Sequence, residues 1–78
     1  MDGQKLVKMA NQIAAFFAAE PERKKAVDGV TNHLKRFWEP RMRREILAVL
    51  DRGGNHGMTE IVVEALQHNR KVLEPAGR

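Results

Sequence analysis

The chain has 78 residues and no cysteine, and its fourteen basic residues against ten acidic ones give a net charge of +4. A chain of this length forms at most one domain. The core of such a domain contributes only about 3–5 kcal/mol to the free energy of unfolding, so that binding to a partner often adds stability. Disulfides, zinc–thiolate sites and cysteine-ligated iron–sulfur clusters are excluded, which suits a reducing compartment. The charge permits binding to nucleic acid or to an acidic partner without requiring it.

No segment approaches the roughly 18 apolar residues of a membrane span. The apolar run Ile13–Ala19 is short, and Asn11 and Gln12 stand directly before it. These features predict one face of a soluble helix rather than a signal peptide.

The first predicted helix begins after Asp2, which can cap it. It ends at Glu20, because the residue before a proline is disfavoured in the helical region. Its apolar residues fall within about a third of a helical wheel, the pattern of a helix packed on a core. They are Leu6, Met9, Ala10, Ile13, Phe16 and Phe17.

The second predicted helix begins at Pro21, a favourable first helical residue, and ends at Glu39 before the next proline. Its predicted core face comprises Val27, Val30, Thr31, Leu34, Phe37 and Trp38. Gly29 lies on the polar side, where it weakens the helix by about 1 kcal/mol relative to alanine. It is either a plain surface glycine or a place where another backbone approaches closely.

Pro40 begins the third predicted helix, whose apolar residues spread over nearly half of the wheel. They are Met42, Ile46, Leu47, Val49 and Leu50. A stripe this wide indicates a central helix, or one whose face partly meets another chain. A loop follows, in which Gly53 is a natural helix C-cap.

The fourth predicted helix is capped by Thr59, with Met58 and Val63 as a hydrophobic staple, and ends before Pro75. Its apolar face comprises Ile61, Val62, Ala65, Leu66, Val72 and Leu73. The predicted fold class is therefore all-α: a small bundle of three to four short helices with Glu-Pro corners and no sheet. We expect a single helical domain over residues 1–78, with a frayed tail from about residue 70.

No catalytic, cofactor-binding or metal-binding residues are predicted. Serine and cysteine are absent, and the three histidines do not stand at metal-ligand spacing. Glu64 and His68 can share a helix face, but two ligands do not make a site. Gly54–Gly57 formally matches the G-x-x-G loop of KH domains, which need a sheet that no segment here predicts.

Basic and aromatic residues concentrate between His33 and Arg44. The basic ones are Lys35, Arg36, Arg41, Arg43 and Arg44, interleaved with Phe37 and Trp38. This combination occurs in protein interface hot spots and in single-strand nucleic-acid binders. It also occurs on ordinary solvated faces around a core aromatic pair, and Glu39 and Glu45 dilute the charge. All three interpretations remain open from these residues alone.

Two segments resemble the delta subunit of soluble NAD-dependent formate dehydrogenases. The first reads L-V-K-M-A-N-Q-I-A over Leu6–Ala14 and is followed by Phe16-Phe17. The second runs from N-H-L at Asn32–Leu34 into F-W-E-P-R-M-R at Phe37–Arg43. The Gly53-Gly54 loop and V-E-A-L at Val63–Leu66 fit the same pattern, so that the resemblance covers roughly residues 5 to 68.

The resemblance implies a non-catalytic accessory subunit of a cytoplasmic, bacterial formate dehydrogenase. Its partner would be the large catalytic, molybdenum-containing subunit, and its role would be assembly, maturation or stability of the complex. The complex would carry a molybdenum (or tungsten) pterin, iron–sulfur clusters, FMN and NAD, none of them in this chain. The predicted partner-binding residues are Asn11, His33, Arg36, Trp38, Arg41, Arg43 and Arg44.

Two further expectations accompany this reading. The isolated chain has the small size at which self-association can supply missing stability, so a homo-oligomer is possible. The alternative function is a free-standing basic helical module that binds nucleic acid.

Overall fold

The computed structural model describes residues 2–75. These residues form five α-helices: α1 Gly3–Phe17, α2 Arg23–Phe37, α3 Pro40–Asp51, α4 Glu60–His68 and α5 Arg70–Leu73. The described part of the chain contains no strand. The prediction of a small all-α bundle is therefore confirmed.

Three helix ends follow from local chemistry, as predicted. The Asp2 side chain caps α1 by accepting a hydrogen bond from the Gln4 N–H at 3.0 Å. Pro40 is the first residue of α3. Gly53 follows the end of α3 with a φ of 88°, and its N–H donates to the Leu50 carbonyl at 3.2 Å. Glycine adopts this left-handed conformation without the steric cost of a Cβ.

The connection between α1 and α2 is longer than predicted. Helix α1 ends at Phe17 rather than Glu20, and α2 begins at Arg23 rather than Pro21. The Glu22 N–H donates to the Glu20 carboxylate at 3.3 Å. A helix beginning at Pro21 would leave the Glu22 N–H unpaired in its first turn. In the observed connection, the Glu20 side chain accepts a hydrogen bond from this N–H instead.

Asn69 interrupts the predicted fourth helix. Its φ of −117° and ψ of 29° separate α4 from α5, and its side-chain amide donates to Thr31 Oγ1 at 3.0 Å. The break allows Leu73, which is 1% exposed, to enter the core. The prediction of a frayed tail from about residue 70 is therefore wrong for the stretch that ends at Leu73. The predicted tail also includes residues 76–78, which lie outside the described residues.

Apolar side chains from all five helices share one buried core, in which the largest fully buried residues include Leu6, Leu34, Ile46 and Leu66. Both α2 and α3 pack against α1, α4 and α5. The wide apolar stripe of α3 is therefore covered largely within the chain.

Gly29 meets an aromatic ring rather than a backbone. A Cβ placed on Gly29 would lie 2.5 Å from Cδ1 and Cε1 of Phe17. Glycine at this position lets α1 and α2 approach with the Phe17 ring between them. The sequence suggested either a plain surface glycine or the close approach of another backbone. Neither interpretation describes this contact.

Candidate partner-binding surface

The structure separates the predicted partner-binding residues into a first group that is buried or half-buried and a second group that is exposed. Trp38 and Arg43 are buried, with 6% and 8% of their surface exposed. Asn11 and His33 are half-buried. The remaining members of the set are exposed, namely Arg36, Arg41 and Arg44. The first group makes contacts within the chain, while the arginines of the second face outward.

Asn11 connects α1 to the loop before α4. Its Nδ2 donates to the Gly57 carbonyl at 2.9 Å, and its Oδ1 accepts from the Thr59 N–H at 3.0 Å. Thr59 is the N-cap residue of α4 as predicted, but its side chain makes no capping hydrogen bond. Asn11 therefore orients the start of α4 from a distant part of the sequence, a role that no local pattern indicates.

Arg43 extends from α3 toward α5. Its guanidinium Nη1 donates to the Leu73 carbonyl at 3.2 Å, while its buried Nε has no hydrogen-bond partner in the described structure. Burial of a guanidinium is costly unless it is paired. The contact with the last residue of α5 gives Arg43 a role inside the chain.

Trp38 lies where the backbone leaves α2. Its ψ of 136° ends the helix, and its N–H donates to the Leu34 carbonyl at 3.1 Å. The indole belongs to the core and also lines a surface groove. Trp38 is therefore both a core residue and part of the groove wall.

We call this cavity the α1–α2 groove. It has a volume of about 500 Å³ and is lined by Met9, Gln12, Ile13, Phe16, Phe17, His33 and Trp38. Phe16 and Phe17 stack edge to face with ring centroids 5.2 Å apart. On the α2 side, the rings of His33 and Phe37 are 4.8 Å apart. The groove is therefore apolar, with aromatic rings along its edges.

Phe16 and Phe37 depart from their predicted core positions, with 77% and 68% of their surface exposed. The buried stripe of α1 is formed by Leu6, Val7, Ala10 and Ala14, a face rotated away from Phe16. Phe37 is the last residue of α2, and Trp38 turns into the core after it. A helical wheel drawn from the sequence places both phenylalanines on the apolar side of their helices, but it cannot show which part of that side the other helices cover.

The exposed arginines of the predicted partner-binding set take no part in the ion pairs of the described residues. Ion pairs in the described part of the chain involve the cations Arg23, Lys24, Lys25 and Arg70. Arg36, Arg41 and Arg44 form none there, and neither Glu39 nor Glu45 pairs with them. Arg36 instead lies with its Cζ 6.0 Å from the centroid of Phe37. Arg36, beside Phe37, is therefore the unpaired arginine of this set that lies near the groove, whereas Arg44 lines a separate cavity with Asp51 and Glu74.

The resolved pKa shifts lie outside the α1–α2 groove, in a contact that links α3 to α5. The Arg70 guanidinium donates two hydrogen bonds to Asp51, at 2.8 and 2.6 Å, and one to Glu74 at 2.9 Å. The hydrogen bonds from Arg70 lower the pKa of the Asp51 carboxyl, and the hydrogen bonds to Asp51 and Glu74 raise the pKa of Arg70. The contact is exposed to solvent and joins the end of α3 to α5.

Residues 2–75 contain no cluster of three or more side chains placed to hold a metal ion. Within the same residues, none of the helices combines the length and the apolar character needed to cross a membrane. Gly54–Gly57 is a loop without a neighbouring strand in the described region, so the sheet required by a KH domain is not present there.

The fold and the groove together define a small all-α protein with an apolar groove edged by aromatic rings. Residues 5–66 match the family model of the NADH-dependent formate dehydrogenase delta subunit, FdsD. The match covers most of the chain, and the protein belongs to this family, as the sequence motifs indicated. No curated protein and no solved structure gives a match. The residues that line the α1–α2 groove all lie within the matched region.

Proposed function

We propose that the chain is a non-catalytic accessory subunit that binds the large molybdenum-containing subunit of a cytoplasmic, bacterial NAD-dependent formate dehydrogenase. Its role is to support assembly, maturation or stability of that complex, whose pterin, iron–sulfur, FMN and NAD sites lie in other subunits. The observation that carries this proposal is membership of the delta-subunit family over residues 5–66.

The exposed arginines support a protein partner. Arg41 and Arg44 lie in the first turns of α3, where the helix dipole disfavours cations. Neither forms an ion pair within the described residues. Arginine is well suited to bidentate contact with carboxylates, so we propose an acidic patch on the large subunit as the partner of these two residues.

The test is capture of the large subunit by the full chain. Arg41→Glu combined with Arg44→Glu should leave the helical circular dichroism and thermal unfolding nearly unchanged, because both residues are exposed. The same double variant should abolish capture in a pull-down. The matched control is Arg52→Glu with Lys71→Glu, the same charge change at exposed positions elsewhere, which should capture normally.

Two outcomes would contradict this assignment of the surface. A folded Arg41/Arg44 double variant that captures the large subunit as the parent does would remove these arginines from the interface. A double variant that unfolds would show that the arginines are structural, held by carboxylates of their own chain.

The nucleic-acid alternative is less well supported. Trp38 and Arg43, two members of the basic and aromatic cluster, are buried. Single-strand binders use exposed aromatic faces for base stacking and exposed cations for phosphates. The cluster therefore offers fewer such contacts than the sequence suggests.

A further inference from the structure

The α1–α2 groove is an uncovered apolar surface. Its edge residue Phe16 and the neighbouring Phe37 are the two most exposed large apolar side chains in the described part of the protein. Contiguous exposed apolar surface with a polar rim marks interaction sites, and aromatic side chains beside arginine are typical of interface hot spots. The groove therefore has the composition of a binding site for another polypeptide.

We infer that the α1–α2 groove receives an amphipathic helix of the large subunit that carries carboxylates beside its apolar face. This inference rests on the proposed function and specifies the chemistry of the docking segment. The groove runs between two helices, a geometry that accepts the apolar face of a third helix. Met9, Ile13 and Phe16 follow each other at helical spacing along one wall, so their side chains form a ridge that matches a partner helix.

The positive charges beside the groove indicate which polar residues the partner helix carries next to its apolar face. Lys8 precedes Gln12, which lines the groove, by four residues and therefore lies beside that residue on α1. Arg36 flanks Phe37 on α2. Both cations are exposed, and neither forms an ion pair in the described structure. Glu39, the acidic residue that follows Trp38, is outnumbered by these cations, so carboxylates on the partner are favoured.

A second copy of this chain would fit the groove less well. A twofold dimer places the same surface patch on both sides of the interface. The interface would then hold the unpaired Lys8 and Arg36 of both copies, four cations in all, and like charges brought close together are costly. The charge pattern therefore favours an acidic partner over self-association.

The first test measures the affinity of the purified large subunit for the full chain and its variants. Phe16→Ala and Phe37→Ala should each weaken binding about tenfold or more, the loss of a residue that contributes strongly to an interface. Val72→Ala is the matched control, because Val72 is 46% exposed but lies on α5 outside the groove. It should bind as the parent does, and all three variants should unfold close to the parent temperature.

The second test identifies the occupant directly. Phe16 or Phe37 is replaced by the photo-crosslinking residue p-benzoylphenylalanine, and the cross-linked peptide is mapped by mass spectrometry. We expect a segment of the large subunit with apolar residues at three- and four-residue spacing and with aspartate or glutamate beside them. A cross-link to a second copy of this chain, or to a segment without carboxylates, would overturn the inference.

The outcomes separate this inference from the proposed function. If the unchanged chain does not capture the large subunit, the proposed function fails and the inference fails with it. If the unchanged chain captures the large subunit and the phenylalanine variants bind as tightly as the parent, only the inference about the groove is overturned.

Discussion

Replacing Gly29 with alanine tests whether the Phe17 ring really occupies the space beside it. On helix propensity alone, alanine in the middle of α2 should stabilise the protein by about 1 kcal/mol. The new Cβ, however, would lie 2.5 Å from two carbons of the Phe17 ring, whereas nonbonded carbons normally keep about 3.5–4.0 Å apart. The ring must therefore move by about 1 Å.

Overpacking of this kind typically costs about 1–3 kcal/mol. Subtracting the propensity gain, we expect Gly29→Ala to lower the free energy of unfolding by about 1 kcal/mol. For a domain of this length that loss corresponds to a fall of about 4–8 °C in the melting temperature. Urea unfolding followed by circular dichroism measures it directly.

A double-mutant cycle identifies the cause. In a Phe17→Ala background the ring is gone, so Gly29→Ala should become stabilising by about 1 kcal/mol. The two residues should then show a coupling energy of about 2 kcal/mol, within the range for residues in contact. If Gly29→Ala stabilises the unchanged protein as much as it stabilises the Phe17→Ala variant, the ring does not lie against Gly29 and the reasoning is refuted.

Three further predictions concern the core, the α4 connection and nucleic acid. Trp38→Ala should destabilise the chain by roughly 3–5 kcal/mol, measured by circular dichroism; a variant that melts like the parent would place the indole outside the core. Asn11→Ala should cost about 0.5–2 kcal/mol, as loss of a helix cap does, and should speed hydrogen exchange of the Thr59 amide; an unchanged exchange rate would contradict this role. Binding to labelled single-stranded DNA should be weak by fluorescence anisotropy, because few phosphates can be neutralised; micromolar affinity at physiological salt with a steep salt dependence would revive the alternative function.

The family and the fold class could be predicted from the sequence because both rest on short segments. The motifs around Leu6–Ala14 and Phe37–Arg43 indicated the delta-subunit family, which the family match confirms. Helix periodicity and the absence of alternating segments indicated an all-α bundle. The cap at Asp2 and the start at Pro40 were equally predictable, since each depends on residues within one helical turn.

The candidate surface could be predicted only in part. Of the cluster of arginines and aromatics between His33 and Arg44, His33 and Trp38 line the α1–α2 groove. The sequence of this cluster could not show that Arg43 turns inward toward Leu73 or that Phe37 turns outward. A helical wheel gives the direction of a side chain relative to its own helix, but whether that direction meets solvent depends on where the other helices lie.

By itself the sequence determined most of the helical segments and four of their ends, namely the starts of α1, α3 and α4 and the end of α3. It also indicated part of the apolar faces from which the core is drawn. The tertiary structure decided the break at Asn69, the contact of Phe17 with Gly29 and the connection made by Asn11. The hydrogen bonds of Asn69 and Asn11 join residues 38 to 48 positions apart. Such contacts exist only once the helices have packed. The burial of apolar side chains elsewhere in the chain drives this packing and brings the two polar groups of each contact within hydrogen-bonding distance.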